Sequence, residues 1–154
     1  MSGSLKDSPA AVLRQLLVDI NQAVDPPQLG NAPWQAFYDN EPDLPDDVIT
    51  VADSVGIDKG RSGNDRERVG YHGTQIRIRS TDHDVGFRKA QEIAIALDKV
   101  NQASVRVISG NGTTDYVVWT VIRQGKVLRM GKEVGVSDRR LFSINSVMVL
   151  YQVA

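Results

Sequence analysis

Residues 71–100 constrain the fold more than any other stretch. In Thr74-Gln75-Ile76-Arg77-Ile78-Arg79-Ser80 the apolar residues alternate with polar ones, the period of a half-buried strand. Thr81-Asp82-His83-Asp84 follows as a helix start. Thr81 or Asp82 can accept hydrogen bonds from free N–H groups, and Asp82 and Asp84 sit where the helix dipole favours negative charge. Phe87, Ala90, Ile93, Ala94, Leu97 and Val100 then recur at helical spacing. Ala90 and Ala94 are small enough to bring that helix close to a sheet. The unit predicts one strand and one amphipathic helix packed together.

The flanking segments extend this plan. Ser8 and Pro9 open a first helix whose stripe is Leu13, Leu16, Leu17, Ile20 and Val24, with Asp25-Pro26-Pro27 as its expected end. Residues 34–38, 48–52, 104–108, 116–122 and 141–151 read as strands. In the fourth of these, Val117, Trp119 and Val121 fall on one face and Tyr116, Val118 and Ile122 on the other. A strand apolar on both faces is covered on both sides, by its own domain or by a neighbour. Gln124-Gly125 predicts a hairpin within 116–130. In the last strand Phe142 and Ile144 are out of phase with Val147, Val149 and Tyr151, which predicts a bulge near Asn145-Ser146. The expected fold is α+β: a single domain with a twisted, mostly antiparallel sheet, two amphipathic helices on one face and a protruding hairpin or long loop. Residues 1–7 are expected to be a flexible terminus and 8–154 the domain.

Composition narrows the function. The 18 basic and 19 acidic residues leave a net charge of −1, which excludes a globally basic nucleic-acid binder. Cysteine is absent, so disulfides and thiol chemistry are excluded. No signal peptide is evident, and no stretch reaches the roughly 20 apolar residues that span a bilayer. A cytoplasmic protein without membrane contact is expected. His72 and His83 lack a third ligand with supporting contacts, so no metal is expected. Ser109-Gly110-Asn111-Gly112-Thr113-Thr114 lacks the lysine and the helix of a phosphate loop. No nucleophile elbow is present. The reading is of a protein that is not an enzyme and needs no cofactor. Arg77 and Arg79, with Arg88 and Lys89, form either a basic patch or a solvated ion-paired surface.

Two loops carry charge. Residues 39–47 hold Asp39, Glu41, Asp43, Asp46 and Asp47 with Pro42 and Pro45; residues 56–70 hold four glycines with Lys59, Arg61, Arg66 and Arg68. So long a loop in a compact domain is usually functional or disordered, and a partner-binding arm is the expectation.

The ordered set of an N-terminal amphipathic helix, Leu44-Pro45-Asp46-Asp47-Val48-Ile49-Thr50-Val51-Ala52-Asp53, a glycine-rich loop, Gly73-Thr74-Gln75-Ile76-Arg77-Ile78-Arg79, a helix, and Arg139-Arg140-Leu141-Phe142-Ser143-Ile144-Asn145 resembles the tail terminator or minor capsid proteins of tailed bacteriophages. The resemblance spans residues 9–151. It implies a virion protein of the tail or neck, assembled in the host cytoplasm, that forms a ring expected to be hexameric. The ring would cap the tail tube, end its polymerisation and dock head-completion or stopper proteins. Its partners would be copies of itself, the tube protein, the head-completion protein and passing genomic DNA without specific binding. Subunit or tube contacts are expected from Trp34, Phe37, Tyr38, Lys59, Arg61, Arg66, Arg68, Tyr116, Val118 and Trp119. Glu41, Asp43, Asp46 and Asp47 are expected to face the channel, where carboxylates repel phosphate. Alternatives are a head–tail connector or a tube subunit and, from another class, a small nucleic-acid-processing enzyme using Arg77, Arg79 and Arg88 with His72 or His83. A module that binds nucleic acid through charge alone is a further one.

Overall fold

The computed structural model describes residues 5–25, 33–38, 40–57, 70–110, 112–132 and 139–153, apart from the side chains of residues 55–57 and 132. Helix α1 spans Pro9–Asp19 and begins as its sequence dictates. The Ser8 hydroxyl accepts from the Ala11 N–H, and Pro9 occupies the first turn. It ends earlier than the stripe suggests. Asn21 adopts a left-handed φ of 61°, and the N–H groups of Gln22 and Ala23 turn back onto the Leu17 carbonyl. Val24 then forms an isolated parallel bridge to Gln35.

The strands are β1 (Gln35–Tyr38), β2 (Val48–Ile57), β3 (Gly70–Ser80), β4 (Ala103–Ser109), β5 (Gly112–Arg123), β6 (Leu128–Lys132) and β7 (Arg140–Gln152). They form one sheet in the order β1-β2-β3-β7-β5-β4, with β6 also paired to β7. Every pairing is antiparallel except β1 with β2, which is parallel. Helix α2 (His83–Asp98) follows β3, and Asp82 Oδ1 accepts from the N–H groups of Asp84 and Val85 at 2.8 and 3.1 Å. The chain is thus a single mixed α+β domain, with two helices and seven strands among the described residues.

Both helices bury their apolar stripes in one cluster with the inward side chains of the strands, including Ile76, Ile78, Phe142, Ile144, Met148 and Leu150. In α2 the core-facing positions are Gly86, Ala90, Ile93, Ala94 and Leu97. Phe87, expected in that stripe, is instead 40% exposed. Gly86 takes its place because the helix crosses β7 so closely that a Cβ there would lie 2.7 Å from Phe142 Cε2. Helix α1 touches β1 and β2 at one end of the sheet and β4 at the other, so the sheet curls around it. A cleft beside α1 is accordingly lined by Phe37 and Tyr38 from one edge and by Arg106 and Ile108 from the other.

Two sequence expectations fail at β7. Its register with β3 runs unbroken from Gly70↔Leu150 to Ser80↔Arg140, with no bulge near Asn145-Ser146. Both phases of β7 are buried: Phe142, Ile144, Met148 and Leu150 face the core cluster, and Leu141, Val147 and Val149 of the other phase are buried as well. Nor do β5 and β6 form a hairpin. Both pair with β7, β5 from Gln152 back to Ser146 and β6 from Ser143 to Arg140. They are one long strand interrupted at residues 124–127, where Gln124 N–H still donates to the Asn145 carbonyl at 2.8 Å.

Candidate assembly surface

Strand β5 sets the surface through one extra residue. Val118 pairs with Leu150 and Thr120 with Val149, so Trp119 bulges out of the ladder. The bulge reverses the alternation beyond it. Val121 joins Tyr116 and Val118 inside the core, and Ile122 joins Trp119 outside. A strict period of two had put Val121 and Ile122 on the opposite faces. Trp119 and Ile122 are 50% and 49% exposed, and the Trp119 ring meets the edge of Tyr151 at 6.2 Å.

The strip continues along β6. Leu128, Arg129, Met130 and Gly131 are all exposed, whichever way they point. Trp119, Ile122, Leu128, Met130, Tyr151 and Val153 make up half of the large apolar side chains exposed among the described residues. The first five lie on the adjoining strands β5, β6 and β7 and Val153 directly follows β7, so they form a strip rather than scattered single residues. Strand β4 covers β5 only as far as Val118. The Gln102 N–H still donates to the Trp119 carbonyl at 3.1 Å, and from Thr120 through β6 no described strand pairs on the far side of the sheet.

At the start of β7, one strand across from β6, the chain does the reverse and folds its charge inward. Parallel neighbours β1 and β2 need a connection that runs back along the sheet, and its described residues, 40–47, contain no helix. Such a strap has no ladder to satisfy its carbonyls. Arg79, only 1% exposed, supplies the donors. Its guanidinium donates to the carbonyls of Pro42, Asp43 and Pro45 at 2.8, 3.1 and 2.8 Å, and to that of Asp46 at 3.3 Å. Arg139, 6% exposed, donates to the carboxylates of Asp43 and Asp46 at 3.1 and 2.9 Å. Glu41 lies 3.7 and 3.8 Å from Arg77 and Arg79.

These positions revise the expected site. Tyr116 and Val118 are fully buried in their own fold and unavailable to a neighbour. Tyr116 donates its hydroxyl proton to Asp7 Oδ2 at 2.7 Å and accepts from the Asp7 N–H at 2.9 Å. Burial, and after it the bond to Asp7, pushes its phenol up to about 12. Trp34 is half-buried against the core, with Lys89 Nζ 5.7 Å from its ring centroid. Burial holds the Lys89 ammonium below its ordinary pKa, partly offset by Glu92. Phe37 is half-buried and Tyr38 is 47% exposed. Glu41, Asp43 and Asp46 have arginine partners rather than standing as an unpaired acidic wall. Asp47 is half-buried, and its carbonyl accepts from the Trp34 N–H. Lys59, Arg61, Arg66 and Arg68 lie outside the described residues.

The basic patch is likewise divided, since Arg77 and Arg79 serve the strap while Lys89 contacts Glu92 at 3.7 Å. His83 Nδ1 lies 3.2 Å from Asp84, and its ring stacks on Phe87. Among the described residues no three His, Cys, Asp or Glu side chains gather to hold a metal ion, and no helix is long and apolar enough to cross a membrane. Sequence reasoning missed Ile122, Leu128, Met130 and Tyr151 as surface residues. Nothing local marks the bulge at Trp119 that turns Ile122 outward.

No protein-family model matches the sequence, and no curated protein does either.

Proposed function

We propose that this protein is a structural subunit that works by assembling with copies of itself, as the tail terminator of a tailed phage does. In this reading the copies form a ring, expected to be hexameric, that caps the tail tube, stops its growth and receives the head-completion protein. One observation carries the assembly reading: the exposed patch of Trp119, Ile122, Leu128, Met130 and Tyr151 on β5, β6 and β7, with Val153 just beyond. A patch of this kind marks an interaction surface, and burying its apolar area against another copy is favourable. The resemblance of the ordered sequence motifs to tail terminators supplies the specific role. The glycine-rich stretch of residues 56–70, expected as the protruding loop, falls largely outside the described residues.

Deleting the gene from the phage that carries it tests the role. Overlong tails are the expected result. Tailless filled heads beside headless finished tails of normal length would transfer the role to a connector. Trp119→Ser supplies the molecular arm: the purified variant should stay folded yet fail to form rings, as read by native mass spectrometry.

A further inference from the structure

The open run of β5 and β6 has the dimensions of one added strand. Strand β4 lies beside β5 as far as Val118, and the Gln102 N–H bonds the Trp119 carbonyl just beyond. From there β5 and β6 continue alongside β7 from Val149 to Arg140, roughly 30 Å of strand. Their outward main-chain groups have no partner among the described residues. A row of unpaired N–H and C=O groups is a template for another strand.

The side chains along this run differ between its two faces. Arg129 pairs with Phe142 and Arg123 with Ser146, which places both on the helix-bearing face of the sheet. Leu128 pairs with Ser143 and Ile122 with Val147, on the opposite face, and both are about half exposed. Asp98 holds Arg123 with two hydrogen bonds. Arg129, and Lys126 in the interruption between the strands, are exposed and have no acidic partner among the described residues. One face of the run thus offers positive charge and the other apolar surface. Successive side chains of a strand point to opposite faces, so the matching strand alternates acidic with apolar residues. A basic strand would meet like charge.

The described edges of the chain itself do not fit that description. The far side of β1 is taken: Val24 bonds the Trp34 carbonyl and the Ala36 N–H, Arg14 Nε donates to the Ala36 carbonyl, and the Asn40 N–H donates to that of Tyr38. Strand β4 exposes Ser104, Arg106 and Ile108, with no acidic residue among them.

We infer that the β5–β6 edge binds an extended segment of a different protein, in which carboxylates alternate with apolar side chains. Its main chain pairs with residues 120–123 and 128–131, its carboxylates meet Arg129 and Lys126, and its apolar side chains cover Ile122 and Leu128. The contact needs the main chain of the edge and not a second copy, so a chain that stays monomeric still makes it.

Hydrogen exchange on the full chain, with and without a capped synthetic peptide that alternates glutamate and valine, tests it. Outward amides within 120–123 and 128–131 should exchange roughly tenfold or more slowly with the peptide bound. The same peptide with lysine for glutamate should bind roughly tenfold more weakly or worse, and Lys126→Glu with Arg129→Glu should invert that preference. N-methylation of the peptide amides should abolish binding, because strand addition draws its affinity from main-chain bonds. Absence of binding up to the solubility of the glutamate peptide means that the cations and bulges only keep other strands away, and overturns the proposal. Binding that leaves these amides unprotected places the peptide elsewhere and also overturns it. Equal binding of the two peptides rejects the acidic partner. Protection that grows with protein concentration in the absence of peptide makes the edge a contact between copies, which overturns the proposal while supporting self-assembly.

Discussion

The strap corner and the β5–β6 edge solve opposite problems. At the strap, charge is taken inside: Arg79 and Arg139 are nearly inaccessible and their donors go to carbonyls and carboxylates of one short segment. At the edge, apolar surface stays outside on strand segments that no described strand flanks on the far side. A buried guanidinium that bonds four main-chain carbonyls through Nε and Nη2, with Glu41 3.8 Å from Nη1, is committed to the fold. Exposed tryptophan, isoleucine, leucine and methionine on adjoining strands leave contacts unmade. Arg79, one of the arginines that invite a nucleic-acid reading, is therefore structural, and the apolar strip is the surface whose burial would be favourable.

The contrast can be broken most severely at Arg79. Arg79→Ala removes the donor to four strap carbonyls and should cost about 3–5 kcal/mol in urea denaturation. Arg79→Lys should recover little of it, because one ammonium cannot span the carbonyls that a planar fork reaches. A loss below about 1 kcal/mol would mean that water satisfies the strap and the corner is no structural keystone.

A second break lies between α2 and β7. Gly86→Ala places a methyl group against Phe142 and Ser80 and should destabilise by about 1–3 kcal/mol.

At the edge the sign of the comparison changes. Trp119→Ser should alter the stability of the monomer by no more than about 0.5 kcal/mol while abolishing assembly. A large stability loss would move Trp119 from the surface into the fold.

The smallest effect is a pH dependence. The phenol of Tyr116 is raised to about 12 in the fold, above the 10 of a free tyrosine. The unfolded chain therefore releases that proton first. The stabilisation is complete below pH 10 and is lost as pH rises from 10 to 12. Tyr116→Phe should flatten that window in a pH series of thermal melts.

Local signals in the sequence reach as far as local physics does. Alternation in residues 74–80 and the Asp82 cap place β3 and α2 correctly because each depends on neighbours a few residues away. The early end of α1 turns on the left-handed conformation of Asn21, which the apolar stripe up to Val24 outweighs by eye. The hairpin expected at Gln124-Gly125 fails because β5 and β6 find their partner in β7, beyond any local pattern. The same limit hides the surface. Only the register with β7 reveals that Trp119 bulges and that Ile122, not Val121, faces out. Arg77 and Arg79 share one face of β3 as their spacing indicates, yet the strap that closes over Arg79 comes from residues more than 30 positions earlier.

Sedimentation velocity of the purified chain across a wide concentration range tests the central claim most directly. The account predicts a closed multi-copy particle that Trp119→Ser converts to folded monomer. A parent chain that sediments as a monomer throughout, with Trp119, Ile122, Leu128 and Met130 still in water, would contradict it.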